Sequence, residues 1–534
     1  MRRFFSYGPI NPKRHYYAPR KEIIEKACAR LKGEYADEDG HYITVWAPRQ
    51  CGKTWIMQEV VQKIKQDDEY EVGIISLERA KEEEEEREVL NILMEKLQHA
   101  FARSFPAVKK INDLPLIFTS QYFQKPVILI LDEFDALQEV FINRFASIFR
   151  DIFISRTNEK DKGSAEKSYL LHGLALVGVR SVLGIENATG SPFNVQRSLH
   201  IPNLTVDEVR GMFRWYEEES GQKVEAEVVD RLFGETRGQP GLTCWLAELL
   251  SEGFEDYTNE RTKPIGRGEF ETVYMAATTA LPNNNILNLI SKARKESNKA
   301  VLLEMFKTER KLPFTFDEPA VNDLYMNGIA DKELIPGEGY FIRFSCPLVQ
   351  KRLFNYFSGT LFRQVGQLVE PFQNLDHVIT EKSLHIPQLL KLYETYLEKN
   401  KGWLFKEVPR RSDLRVYEAV FHFNLFAYLH EFLRERGARV FPEFPTGNGK
   451  IDLLIRYQNT LYGIELKSFT HQAAYRQALT QAAHYGRQLR LSEIFLVNFV
   501  ETVDEATRQT YEKPYHDPDT GVTVTPLFIQ TGPV

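Results

Sequence analysis

Apolar residues along this chain fall into two patterns. In the first third they come as short unbroken blocks, Tyr42–Trp46, Val127–Leu131 and Gly173–Val179. A block of this kind predicts a strand buried on both faces, as in a parallel sheet. Further on the spacing turns helical, over Val206–Ser220, Val224–Phe233 and Leu242–Leu250, then Asn298–Phe306 and Val321–Met326. A hairpin is expected from Gly328 to Phe344, turning at Pro336-Gly-Glu-Gly. Helical patches over Leu361–Lys401 are interrupted by Pro371 and Pro387 and read as a connector. Asp413–Arg436 then predicts a long helix with Val416, Ala419, Val420, Phe423, Ala427 and Leu429 as its apolar members, closing at Gly437. Strict alternation follows. Gly449-Lys-Ile-Asp452 enters a predicted hairpin centred on Asn459-Thr460, which pairs Leu453 with Leu466, Ile455 with Ile464 and Tyr457 with Tyr462. A helix comes next, with Gln477, Gln481 and Tyr485 on one face, and then a strand, Ile494–Phe499.

That last hairpin carries the sharpest chemistry. Residues two apart on a strand share a side, so Asp452, Glu465 and Lys467 gather opposite the apolar face. Two carboxylates beside a lysine suit a divalent cation, Mg2+ or Mn2+, acting on a phosphodiester: oxygen ligands hold the ion, and the lysine orients water and offsets charge. The competing reading is a salt-bridged trio on an ordinary hairpin. Glu418, set in the apolar helix before the hairpin, is costly there unless something binds it. Gln481 and Tyr485 share a helix face and can reach a phosphate or the lysine.

A second motif lies near the other end. The strand Tyr42–Trp46 runs into Ala47-Pro48-Arg49-Gln50-Cys51-Gly52-Lys53-Thr54 and then a helix. Strand, tight loop and helix is the setting of a phosphate loop. Its amides and the helix N-terminus cradle phosphate, Lys53 neutralises charge and the Thr54 hydroxyl takes magnesium. Ala47 stands where the pattern wants its first glycine. Arg49 and Gln50 are expected to shape the loop. Val127–Leu131 ends in Asp132-Glu133, where Asp132 would hold magnesium and Glu133 would activate water against the γ-phosphate of ATP. The third strand brings Arg180 or Ser181 forward as a γ-phosphate sensor.

The whole chain has 534 residues, 43% hydrophobic and 27% charged, with net charge −6. This length implies several domains. No global basic field advertises nucleic acid, so any such surface must be local. Four scattered cysteines (Cys28, Cys51, Cys244, Cys346) argue against a zinc motif or a disulfide scaffold and fit a reducing cytoplasm. No apolar run is long enough for a signal peptide or a membrane span. The acidic run Glu82–Glu86 reads as a solvated face, and His422 and His430 as packed neutral side chains.

Taken with Gly8-Pro-Ile and His15-Tyr-Tyr-Ala-Pro-Arg20, the phosphate loop resembles the AAA-like group of ASCE-type P-loop ATPases. Thr236-Arg237-Gly238-Gln-Pro240-Gly241 resembles their lid signature, with Arg237 either a lid sensor or the surface arginine of a turn. The C-terminal series resembles the PD-(D/E)XK, restriction-endonuclease-like superfamily, although Ile451 stands where its proline would be. That resemblance implies metal-binding acids Asp452 and Glu465, catalytic Lys467, helix acid Glu418 and the accessory pair Gln481 and Tyr485. The expected fold is α/β and multidomain: an ATPase core over 1–200, a helical lid over 201–284, a winged-helix module over 285–360, a helical linker over 361–409 and a nuclease domain over 410–534. Lys307, Arg310, Lys311 and Arg343 are the module's candidate DNA contacts, unless the module only positions the lid. Nucleic acid, DNA by this reading, is the expected partner. ATPases of this group often complete their site with a neighbour's arginine, which makes Arg144 and Arg150 candidates in a homo-oligomer, with a plain helix-surface role as the competing and favoured reading for both. Two function classes remain open: an ATP-gated, metal-dependent nuclease, or a nucleotide-dependent switch that binds DNA or a partner through an inactive nuclease fold.

Overall fold

The computed structural model describes residues 1–33, 40–178, 197–306, 312–370, 373–411, 416–445, 450–468 and 472–532. Arg180, Ser181, Lys307, Arg310, Lys311 and Gly449 lie outside them. The chain divides into two compact units, one formed by Met1–Ala277 with Asn322–Gly328, the other by Thr278–Val321 with Ile329–Val534.

The first unit is built on five parallel strands: β1 (Tyr42–Trp46), β2 (Glu71–Ser76), β3 (Val127–Asp132), β4 (Leu171–Gly178) and β5 (Arg197–His200), in the order β2-β3-β4-β1-β5. The alternation within β3 explains its unbroken apolar sequence. Ile128 and Ile130 join a core with Ile43, Val45 and the helix Lys53–Lys65, while Val127, Leu129 and Leu131 join another with Leu93, Phe145 and Phe149. A strand with helices on both faces has no side on which a polar residue is free of cost. Three helices, Val206–Ser220, Ala226–Thr236 and Pro240–Glu252, form a helical region of this unit where the sequence leads one to expect a lid. The N-terminal segment packs onto it: Phe4 meets Tyr16, Phe213 and Tyr216, and the Tyr16 hydroxyl donates to Glu219 (3.2 Å).

The second unit holds an antiparallel pair, β6 (Ala330–Ile335) with β7 (Gly339–Phe344), and a six-stranded mixed sheet. The sheet comprises β8 (Arg439–Pro445), β9 (Lys450–Tyr457), β10 (Thr460–Ser468), β11 (Glu493–Val500), β12 (Tyr515–His516) and β13 (Thr523–Gln530), in the order β12-β13-β11-β10-β9-β8. The β8-β9-β10 meander is antiparallel, whereas β10, β11 and β13 run parallel. One face carries the helix Gln472–Gln488, whose Ala478, Leu479, Ala482 and Ala483 pack with Leu454, Ile494 and Leu496. On the other, Phe421 of the helix Glu418–Arg434 stacks on Phe499 (centroids 5.6 Å apart).

Three expectations need correcting. The β9-β10 hairpin turns at Gln458-Asn459, pairing Tyr457 with Thr460, Ile455 with Tyr462 and Leu453 with Ile464. The register therefore slips by two residues from the expected one. Gln458 takes the left-handed turn position (φ 51) and β-branched Thr460 is already strand. Because the slip is even, every side chain keeps its side. Second, the long helix begins at Glu418, with Val416 and Tyr417 outside it and 413–415 outside the described residues. Glu418 is thus a half-exposed residue of the first helical turn, where a carboxylate is stabilised by the helix dipole rather than penalised by apolar neighbours. Third, Arg343 on β7 pairs with Asp331 (3.0 Å) and Glu333 (3.5 Å) on β6, which occupies the charge expected to meet DNA.

Candidate functional site

At the carboxyl end of β1 the chain turns through Gln50 (φ 57) and Gly52 (φ 81) and enters the helix at Lys53. Ala47 needs no glycine: its φ is not positive and its methyl is fully buried in the core beneath the loop. The Lys53 amine donates to the carbonyls of Ala47 (2.8 Å) and Pro48 (2.9 Å), and burial lowers its pKa. β4 lies between β1 and β3, yet the loop and Asp132 meet. The Thr54 side chain is hydrogen-bonded to the Asp132 carboxyl, which burial nevertheless keeps above the usual carboxylate range. Glu133 sits at φ 56, a strained setting for a side chain with a Cβ, and accepts a hydrogen bond from the Ser76 hydroxyl at the end of β2 (2.6 Å). Ser76 was missed from sequence; the short β-branched apolar run in Glu71-Val-Gly-Ile-Ile-Ser is the signal that could have found its strand. Asp135 was missed as well. A Cβ on Gly178 would come within 2.5 Å of its Oδ1, and its charge raises the pKa of Lys53.

The lid grips the loop from outside. Gln239 caps its helix by accepting from Leu242 N–H (2.6 Å), and its amide donates to the Arg49 carbonyl (3.0 Å). Gly241 N–H donates to the Gln50 carbonyl (3.0 Å), and a Cβ on Gly241 would sit 2.5 Å from the Gln50 side-chain oxygen. Arg49 and Gln50 are therefore the loop's handle on the lid, and Cys51 is buried beside them. Gln239 makes a side-chain contact to the loop; Arg237 is the left-handed cap (φ 46) of the preceding helix. The donor set fits a magnesium nucleotide: Lys53 and the helix amides for phosphate, Thr54 with Asp132 for the ion.

The second site is on the mixed sheet. Asp452, Glu465 and Lys467 are 2, 1 and 4% exposed, so the trio is held inside the protein. Lys467 Nζ lies 3.0 Å from Glu465 Oε1. Leu466 N–H donates to Asp452 Oδ2 (2.7 Å), while Asp452 Oδ1 is buried and makes no hydrogen bond. Leaving such an oxygen unsatisfied costs roughly 1–3 kcal/mol, more for a charge. A surface salt-bridge trio would carry no such cost. The register, carried one residue past Ile464–Leu453, sets Glu465 across from Asp452, where the expected pairing had put Lys467. On the same face Gln481 donates to the Tyr485 hydroxyl (2.7 Å). Burial raises the pKa of Tyr485; Glu465 and Asp452 add to the rise and Lys467 opposes it, so the phenol feels all three charges. An open depression runs along the helix Gln472–Gln488, lined by Arg476, Gln477, Thr480, Gln481, His484 and Tyr485; no member of the trio lines it. Among the described residues no group of three or more His, Cys, Asp or Glu side chains is arranged for a metal. Asp452 and Glu465 are two carboxylates, the number a magnesium-type ion commonly takes alongside water and phosphate, and the bare Asp452 oxygen fits one. Glu418 belongs to the helix on the opposite face of the sheet.

Residues 5–254 match the family model of the AAA-like domain. This part of the chain is an AAA-like P-loop ATPase domain. ATP is the nucleotide its loop implies. Solved structures similar to the chain include a Walker-type ATPase of Pyrococcus abyssi, 13% identical with TM-score 0.42 (66% of this chain, 99% of that one). An Aeropyrum pernix ORC1 protein in complex with DNA is 15% identical with TM-score 0.32 (63% and 92%). The RuvB Holliday junction branch migration motor of Thermotoga maritima is 14% identical with TM-score 0.32 (61% and 92%). No curated protein matches. The Arg144 candidate is spoken for within the AAA-like domain: it holds Glu86 with both guanidinium nitrogens (2.7 and 2.9 Å). Among the described residues no helix is long and apolar enough to cross a membrane.

Proposed function

We propose that the chain is an ATP-regulated, metal-dependent phosphodiesterase acting on nucleic acid, with DNA as the substrate to test first. The observation that carries this reading is the buried trio Asp452, Glu465 and Lys467 with its unsatisfied Asp452 oxygen. A folded chain bears the cost of such a group where a ligand offsets it. Asp452 and Glu465 would hold Mg2+ or Mn2+. The bound ion would supply charge neutralisation at the phosphate and a more acidic water. Lys467 Nζ, 3.0 Å from Glu465, would meet phosphate charge once Glu465 turned to a cation. Gln481 and Tyr485 orient a phosphate oxygen from the helix face. Arg476, Thr480 and His484 continue along the same helix from Gln481 and Tyr485, and Arg476 would meet a sugar–phosphate backbone there through its charge.

In the AAA-like domain, Glu133 orients water at the γ-phosphate and Ser76 holds it in readiness. Arg150, on the helix that follows β3, is the remaining candidate for an arginine donated to a neighbouring copy, since Arg144 is engaged with Glu86. The inactive-fold reading draws on one feature, the 3.0 Å Lys467–Glu465 pair, which neutralises both partners without a metal.

The deciding experiment incubates purified protein with single-stranded, duplex and branched DNA and with RNA, in Mg2+, Mn2+ or chelator, with and without ATP. Asp452→Ala and Lys467→Ala should abolish cleavage while ATP hydrolysis continues. Cleavage that persists in both variants refutes the assignment, and a wild type that binds nucleic acid without cutting it favours the switch.

A further inference from the structure

We infer that Asn498 is an additional substrate-contacting donor in the C-terminal site, giving its side-chain N–H to a phosphate oxygen of the nucleic acid. The inference rests on the phosphodiesterase reading above and adds a residue to it.

β11 is a strand that should have no reason to carry an amide. From Ile494 to Phe499 every residue is buried, and all but Asn498 are apolar. Asn498 itself is 1% exposed. The parallel register sets Glu465 beside Leu496 and Lys467 beside Asn498. Lateral neighbours on adjacent strands share a face and lie about 5 Å apart along the hydrogen-bonding direction. Leu496 packs against the helix Gln472–Gln488, so Asn498, two residues on, projects to that same side, next to Lys467. Its other lateral neighbour, on β13, is Phe528, which offers no side-chain acceptor. The amide nitrogen of Asn498 is buried and has no hydrogen-bond partner.

Two unsatisfied buried atoms of opposite kind thus face one site, an acceptor on Asp452 and a donor on Asn498. The acceptor suits a cation and the donor suits an anionic oxygen. A phosphodiester brought to a metal held by Asp452 and Glu465 presents both at once. An amide kept only for structure would be expected to spend its donor inside the protein.

The test uses the full chain and three readouts: Mn2+-dependent cleavage of the best oligonucleotide, Mn2+ affinity by calorimetry, and thermal melting. Asn498→Leu keeps the volume and removes the donor; Asn498→Ser restores one. Expected for Asn498→Leu is a kcat lower by about 100- to 1,000-fold, the loss typical of an oxyanion donor. Mn2+ affinity should be unchanged and the melting midpoint equal to or above wild type, because a buried unpaired amide is gone. Asn498→Ser should recover part of the rate. If Asn498→Leu cuts like wild type, or melts lower in step with its lost activity, Asn498 is structural and the inference falls while the phosphodiesterase reading stands. A wild type that neither binds Mn2+ nor cuts any substrate removes both.

Discussion

The amine of Lys53 lies under its own loop, bonded to two carbonyls, and burial pulls its pKa below that of a free lysine. Phosphate beside it would raise that pKa again, so the protonated form is the one that binds nucleotide. Affinity is then complete below the pKa of the empty site and falls as pH rises through it, beginning before the free-lysine value of about 10.4. Titrating ATP from pH 7.5 to 10 checks this, and an affinity flat across that range contradicts it. Glu133→Gln should keep ATP binding and slow hydrolysis by roughly 100- to 10,000-fold, as loss of a general base does; single-turnover measurements separate the two effects. At this scale the loop before the helix that opens at Lys53 and Thr54 was legible, because a strand–loop–helix motif carries its own geometry. Ser76 and Asn498 were not. A lone serine or asparagine in a strand has no signature until a neighbouring strand sets Glu133 or Lys467 beside it.

The lid turn between the helices Ala226–Thr236 and Pro240–Glu252 is the element with least room for change. Gly238 has φ 68, and a Cβ there would lie 2.0 Å from the Leu204 carbonyl oxygen. Gly238→Ala should therefore cost roughly 1–3 kcal/mol from backbone strain, with further loss from the clash; urea unfolding of the variant measures it. Gln239→Ala removes a helix cap, typically worth about 1 kcal/mol, and the hydrogen bond to the loop. Its ATP affinity should fall more than its stability explains, and a purely proportional loss would leave the loop contact without consequence. Helix and strand identities were readable wherever periodicity was strong, as in β1, β3 and the lid. Element ends were less so. The helix that starts at Glu418 was drawn from Asp413 because apolar spacing does not mark where the backbone turns. The β9-β10 turn was misplaced because nothing local distinguishes Gln458-Asn459 from Asn459-Thr460.

The molecule's two units each have their own core, and each candidate site lies within one of them. Unfolding should then depart from a single transition. Calorimetry is expected to resolve two, with ATP raising the one that Lys53→Ala renders insensitive and Mn2+ raising the one that Asp452→Ala renders insensitive. At a hundred times its dissociation constant a ligand adds about 2.7 kcal/mol to the unit that binds it. One transition that moves with both ligands would show the units to be a single cooperative body. What the chain's own pattern determined was which residues share a strand face and which motif opens a helix, since these follow from periods of two and 3.6 along a local backbone. Tertiary structure alone decided which faces meet. Long-range pairing put β4 between β1 and β3, brought Asn498 beside Lys467, spent Arg144 on Glu86 and Arg343 on the β6 acids, and buried the Asp452 carboxylate with one oxygen bare. Burial and charge pairing are properties of neighbours far apart in sequence, and no local pattern encodes them.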